Sequence, residues 1–470
     1  MALLIYNARL VDKDIDCFGS ILCENGMTRS IFQGCFTNEQ TVLNMAKSVL
    51  AEDGFSSEAK IEIYDLKGLI LTPSFVDMHV HFRYPGLTEK EDLNTGLHAA
   101  ASGGYGVVVA MPNTKPVVSS QSLALQIEKE AAEIGLSKLF QSVSITEDFG
   151  GESVTHLSTI EKKYIPLITE DGKEVMNSSV MLQGMKIAAE KGIIVGCHCE
   201  DPFLAKEAKT YREKALEIMK KNNLSAFGTS ETDLALIPKL ELNKIDDFLT
   251  EANNLLHLAE NVSTARNIEL AKKANCNIHL DHVSTRYCID LIRCEKTKHN
   301  QNISCEVTPH HIALCGSKEP FIRALVNPPL RSEDDRLALI EGIKDGTVDV
   351  ISTDHAPHTL DDKAKGAPGF TGLETSFAVC NTMLVKQNQI NQKKLSELMS
   401  ANPSRLLGLK KGLLRTGYDA DFTVVDPDEQ WTVNSSEFFS KGKATPFEGM
   451  KLSGKVKGLF LDGKQVLQRF

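Results

Sequence analysis

Short apolar runs rich in β-branched residues recur through the middle of the chain, and each starts apolar and ends polar. They are "FVDMHVHF", "GVVVAMPNT", "LFQSVSIT", "YIPLITEDG", "GIIVGCHCED", "CNIHLDHVST", "ISCEVTPHH" and "VDVISTDHAPH". Near-continuous apolar character is what a strand buried on both faces requires. Between most of them lie segments whose apolar residues return every three to four positions, such as "SLALQIEKEAAEIG", "MLQGMKIAAEKG" and "RLALIEGIKDG". These predict amphipathic helices. Strand and helix alternating through eight strands predict an α/β fold, a (β/α)8 TIM barrel, over residues 73–411. The flanks have a different rhythm. "LLIYNARLVD", "IEIYDLKGLILT", "DADFTVVDP" and "VKGLFLDGKQVL" are short β runs without such helices between them. Residues 1–72 and 412–470 therefore read as one small β domain built from both chain termini. Two stretches read as insertions, a helical one near residues 37–60 and another near 225–256 that lengthens the fifth connection. Neither is assigned a chemical role.

The polar ends of the runs carry the chemistry. They are His79 and His81, Asn113, Thr146, Asp171, His198, His282, His310 and His311, and Asp354. In a (β/α)8 barrel the C-terminal strand ends surround the active-site mouth. His79 and His81 stand two apart, so on a strand both rings point to one side. Imidazole nitrogen and carboxylate oxygen are the donors that Zn²⁺ takes. The metal-ligand candidates are His79, His81, Asp171, His198, His282 and Asp354, enough for one or two ions. Asp354 is followed at once by Ala356 and Pro357 with no helical pattern, which disfavours a helix-capping role. It is the candidate general acid/base. Arg83, two residues beyond His81, lies on the same side and offers the planar fork that a carboxylated substrate needs.

Composition narrows the partners. A formal charge of −10 over 470 residues disfavours nucleic acid and anionic membrane surfaces. The opening "MALLIYNARLVDKD" lacks a basic leader, and its apolar run is broken by Asn7 and Arg9. Eleven cysteines, an odd number with no CxxC pair, suit reduced thiols in a cytoplasm. Cys197 and Cys199 flank His198 and read as packing residues.

Taken in order, "DMHVHFRYPG", "ASGGYGVVVAMPNTKPV", "CHCED", "HVST", "EVTPHH", "NPPLRSEDDR", "STDHAPH" and "APGFTGLET" resemble the amidohydrolase superfamily, and within it the dihydroorotase family. "GYDADFTVVD" resembles the segment that leads back to that family's β-sandwich. The resemblance spans nearly the whole chain and implies zinc-dependent interconversion of N-carbamoyl-L-aspartate and dihydroorotate in de novo pyrimidine synthesis. It implies one ion on His79, His81 and Asp354, a second on His198 and His282, and Asp171 bridging or completing the pair. Arg83, Asn113 and His358 would take the substrate carboxylate, Asn327 the ring amide, and Pro368 and Gly369 would offer backbone contacts. Many superfamily members bridge their metals with a modified lysine on the fourth strand. Here Lys163 precedes the apolar run, toward the closed end, whereas Asp171 follows it and Glu170 would face away from Asp171. Allantoinases and hydantoinases are alternatives within the same chemistry, and allantoinases typically carry Asn where this chain has Arg83. A noncatalytic partner of aspartate transcarbamoylase is the alternative from another class, at odds with the full ligand set. The expected partners are a small-molecule substrate, a second copy in a homodimer, and aspartate transcarbamoylase.

Overall fold

The computed structural model describes residues 2–52, 61–222, 238–298, 302–316 and 325–470. The eight apolar runs form parallel strands in chain order. The first, Phe75–Val80, pairs with Tyr105–Ala110, and that strand with Lys138–Gln141. A second sheet runs through Val143–Ser144, Leu167–Thr169, Ile194–Cys197, Ile278–Leu280, Ile303–Val307 and Val350–Ile351. The run "LFQSVSIT" is thus a single strand broken at Ser142, whose N–H donates to Ala110 O at 3.0 Å. At the other seam Val80 bridges His355 in parallel, and His81 N–H donates to His355 O at 2.8 Å. Both seams close, and the strands form a barrel. "YGVVVA" is buried along its whole length, as a strand with helices outside and side chains inside must be.

The helices fall where the periodicity puts them. Gln121–Ile134 starts at Ser120, whose hydroxyl accepts the N–H of Leu123, and ends at Gly135 with φ +74°. Ser178–Lys191 starts at Asn177 and ends at Gly192, φ +67°. Each polar cap satisfies an N–H that the helix cannot, and each glycine takes a left-handed turn that costs other residues more.

The chain ends share one sheet. Ala2–Val11 pairs antiparallel with Asp16–Glu24, which pairs with Met27–Gln33. Ala2–Val11 also runs parallel to Ile61–Asp65 and Ile70–Pro73. Ile70–Pro73 then pairs with Phe422–Thr432, followed by Lys451–Leu461 and Lys464–Gln468. Leu3, Ile5, Leu10, Ile21, Phe422 and Phe460 form its core on one face. On the other, the helix Glu39–Glu52 lays Val42, Ala46 and Leu50 over Leu4 and Tyr6. This helix is the one read in the first insertion, of which 53–60 lies outside the described residues. Thr423 Oγ1 of the sheet donates to Gly104 O at 2.6 Å, at the start of the second barrel strand, which seats the sheet on the barrel.

The second insertion falls partly outside the described residues, at 225–237. The remainder is the start of a long helix, Lys239–Ala274, packed along Pro202–Lys221. Among the described residues no helix is long and apolar enough to cross a membrane.

Candidate active site

Asp171 follows the short fourth strand and stands among four imidazoles. Its Oδ1 lies 3.4 Å from His79 Nε2, 3.1 Å from His198 Nδ1 and 3.7 Å from His282 Nε2. Its Oδ2 lies 3.4 Å from His81 Nε2. The His79 and His81 rings, 5.2 Å apart, come from one strand face, as their spacing predicts. His198 Nδ1 is 2.9 Å from His282 Nε2. Asp354 Oδ1 lies 3.1 Å from His81 Nε2 and 3.6 Å from His79 Nε2. Six residues drawn from five strand ends therefore meet in one place, all of them buried.

Among the described residues three groups of three have ligand atoms within 4.8 Å of one another: His79 with Asp281 and Glu306 and, around Asp171, the two groups His79, His81 and Asp171, and Asp171, His198 and His282. Asp171 is common to both. His79 Nε2 and Asp171 Oδ1 are fully buried and lack a hydrogen bond of good geometry. Buried polar atoms are almost always paired, so an orphaned nitrogen and oxygen facing one centre fit a divalent cation. Burial works against the Asp171 charge, but the surrounding imidazoles, His79 foremost, hold its carboxyl well below the usual range. Burial likewise raises Asp354, and the hydrogen bond with His81 and the charges of the other imidazoles outweigh it, leaving the carboxyl at about 2. Arg83, His282 and Asp354 all have left-handed backbones, with φ of +57°, +35° and +48°. Such strain in side-chain-bearing residues gathers at functional sites.

Above this cluster opens a cavity of about 240 Å³. Its wall includes Arg83, Asn113, Asn327, His358, Pro368 and Gly369, together with His81, Asp171, His198, His282 and Asp354. Every residue that the resemblance assigns to substrate thus faces the same space. Arg83 Nε donates to Pro357 O at 3.2 Å, and its Nη2 lies 3.2 Å from His358 Nε2. Burial, then the Arg83 charge, push His358 down to about 3, so this imidazole is neutral and Arg83 is the cation of the pair. Asn113 Oδ1 lies 3.0 Å from His81 Nδ1, and its Nδ2 donates to Asp171 Oδ2 at 3.4 Å.

His79, which meets Asp171 without lining the cavity, and three further strand-end residues do not reach the cavity wall. Thr146 turns to Glu170, donating its backbone N–H at 2.8 Å. His310 and His311 sit in a short helix, Pro309–Ala313, started by Thr308, and His311 Nδ1 lies 2.8 Å from that threonine's hydroxyl. Chain that turns into a helix immediately after the strand draws its side chains under the rim. Lys163 is exposed and paired with Glu161 at 3.1 Å, away from the imidazoles. Cys197 and Cys199 are buried among apolar residues.

Four residues emerge only from the structure. Glu306 is fully buried with Oε1 2.9 Å from His79 Nδ1, an arrangement that leaves Nε2 of His79 toward Asp171. Asp77 accepts the N–H of His79 and the hydroxyl of Thr353, at 3.1 and 2.6 Å, and so ties the first strand end to the eighth. Glu200 lines the cavity, and Arg212 donates to Asn327 Oδ1 at 2.6 Å. A lone acid within the apolar runs "FVDM" and "ISCEV" is the signal that could have flagged Asp77 and Glu306.

Residues 70–466 match the Amidohydrolase family. A dihydroorotase of Clostridium botulinum (strain Eklund 17B / Type B) is 37% identical over 465 residues, 99% of each chain. A dihydroorotase of Aquifex aeolicus (strain VF5) is 32% identical over 474 residues, again 99% of each. Among solved structures, the L-hydantoinase (dihydropyrimidinase) from Arthrobacter aurescens superposes with a TM-score of 0.79 at 21% identity, covering 99% of this chain and 96% of that one. That likeness carries the shared fold, a TIM-barrel amidohydrolase with a β-sandwich. With its ligand-rich strand ends and full-length relatives, this chain belongs to the amidohydrolase family and, within it, to the dihydroorotases.

Proposed function

We propose that the protein is a zinc-dependent dihydroorotase, interconverting N-carbamoyl-L-aspartate and (S)-dihydroorotate in pyrimidine biosynthesis. The observation that carries this reading is Asp171 standing between two pairs of imidazoles, below a cavity walled by a half-buried arginine. His79, His81 and Asp354 would hold one ion, His198 and His282 a second, with Asp171 common to both. A divalent cation at such a site polarises an amide carbonyl and makes water a usable nucleophile near neutral pH.

The chain's own residues do the rest. Arg83 offers the substrate α-carboxylate a fixed charge and a fork of donors, and the neutral His358 and Asn113 add hydrogen bonds. Asn327 meets the ring amide, and the backbone at Pro368 and Gly369 closes over the ring. Gly369 has φ +113°, and a Cβ there would stand 2.8 Å from Ala356 Cβ, so only glycine brings this backbone so close. In hydrolysis the ring C–N amide bond breaks, the water oxygen bonds to the carbonyl carbon, and a proton must reach the leaving nitrogen. Asp354, ionised and facing the cavity, is placed to take the proton from water and return it to that nitrogen.

Residues 73–411 would form the catalytic unit and residues 1–72 with 412–470 the β-sandwich, in keeping with the barrel strands and the sheet that the chain ends share. The reading places the protein in the cytoplasm, which suits its described cysteines, all free. A homodimer and docking on aspartate transcarbamoylase complete it, to be checked by gel filtration and co-elution. The deciding experiment is a panel of dihydroorotate, allantoin and hydantoin on zinc-loaded protein. The expected outcome is turnover of dihydroorotate with kcat/KM well above the other two. Preference for allantoin or hydantoin would move the protein to those activities, and inactivity on all three would favour the noncatalytic reading.

A further inference from the structure

Lys363 lies in the short helix Leu360–Ala364, between Asp354 and the loop that carries Pro368 and Gly369. Its side chain is completely buried. An ammonium has three N–H donors and no acceptor. Here Nζ reaches three backbone carbonyls, Leu325 at 3.0 Å, Ala367 at 2.9 Å and Gly369 at 2.9 Å. Its hydrogen-bonding capacity is filled without a carboxylate. Burying a charge in this way is costly, and an apolar side chain of similar length would fill the space more cheaply. Burial and the nearby Arg212 guanidinium together pull the lysine down to about 7.

The positions of the acceptors say what the charge achieves. Leu325 leads directly into Val326 and Asn327 on one side of the cavity, while Ala367 and Gly369 flank Pro368 on another. Leu325 O also accepts the N–H of Gly369 at 2.9 Å, so one carbonyl joins both segments. Arg212 holds the next two residues, donating to Val326 O at 3.3 Å and Asn327 Oδ1 at 2.6 Å. Gly369 has no side chain by which packing could fix it.

We propose that Lys363 is a positioning residue whose ammonium pins the segment at Leu325–Asn327 to the loop at Ala367–Gly369, setting where both meet the substrate. The inference rests on the cavity being the substrate site. Lys363 touches no reacting atom, so its influence falls on substrate binding and little on the chemical step.

Lys363→Met keeps the length of the side chain and removes the donors, and Lys363→Gln keeps two of them. With zinc-loaded protein and dihydroorotate, the Met variant is expected to raise KM about tenfold or more with kcat within about threefold of the parent. The Gln variant should recover part of that loss. Hydrogen exchange, which needs no turnover, should show faster exchange in peptides covering 325–327 and 366–370 of the variants, with the barrel strands unchanged. Unchanged KM and exchange in both variants would overturn the proposal, as would loss of zinc and kcat together with KM preserved. If the Met variant does not fold, the Gln variant against the parent decides by the same two readouts. Failure of the parent to turn over dihydroorotate would fault the functional reading alone, and exchange would still judge the clamp.

Discussion

Asp354 and Arg83 face one cavity, and the roles proposed for them give separable predictions. Asp354 is held ionised by the hydrogen bond with His81 and the neighbouring imidazole charges, the form that can accept a proton. Asp354→Ala should lower kcat by about 10²–10⁴-fold at saturating zinc. A normal kcat would remove Asp354 from that role. Arg83 is the half-buried cation beside a neutral His358. Arg83→Lys preserves the charge and loses the planar fork, so KM for dihydroorotate should rise about tenfold with a smaller change in kcat. Equal kcat/KM in the two proteins would place the carboxylate contact elsewhere. The candidate ligand residues were legible because strand-end polarity is a sequence pattern. Glu306 and Asp77 were not, because they work through other residues, orienting His79 from inside the barrel.

Among elements, the long helix Lys239–Ala274 does more than lengthen a connection. Glu260 on it accepts the N–H of Ser284 at 2.8 Å, two residues past His282, and pairs with Arg331 of "NPPLR" at 2.9 Å. Arg331 also donates to the carbonyls of Asn253 and Leu256, each at 3.2 Å. The helix therefore braces two loops of the site through one buried ion pair. Arg331→Met leaves Glu260 buried without its counter-charge, and should destabilise the protein by about 3–5 kcal/mol, measured by urea unfolding. A loss under about 1 kcal/mol would mean that the pair is dispensable. The sequence reveals no such role, since a glutamate on a helix looks the same whether its face is solvated or buried. The alternation of strands and helices, by contrast, was readable almost throughout, the break at Ser142 excepted. At that break Ser142 donates both its N–H and its hydroxyl to Ala110 O and Gln141 Nε2 donates to the same carbonyl, contacts that the apolar pattern of the run does not reveal.

At the scale of the whole molecule, the two chain ends meet in one sheet that packs on the barrel, and Glu374 is one of the ties. It accepts the backbone N–H groups of Phe439 and Ser440 at 3.1 and 3.3 Å, and burial raises its carboxyl to about 7. The folded chain therefore keeps a proton that the unfolded chain releases from about pH 4.5 upward. The Glu374 contribution to stability should be fullest at low pH and decline as pH rises to about 7. Urea unfolding of the parent and of Glu374→Gln at pH 5 and pH 8 checks this. The parent should lose more stability than the variant between the two, and equal losses would contradict it. The β-rich flanks were visible in the sequence, but their strand order was not, because pairing between residues hundreds of positions apart leaves no local trace.

The predictions about turnover depend on a carboxylate shared between two pairs of imidazoles. The most direct measurement is the zinc content of metal-depleted protein reconstituted with zinc, for the parent and for Asp171→Ala, with dihydroorotate turnover followed on the same samples. The account predicts two tightly held zinc ions and restored turnover in the parent, and loss of at least one ion and of turnover in the variant. Full zinc content and full activity without the Asp171 carboxylate would contradict it.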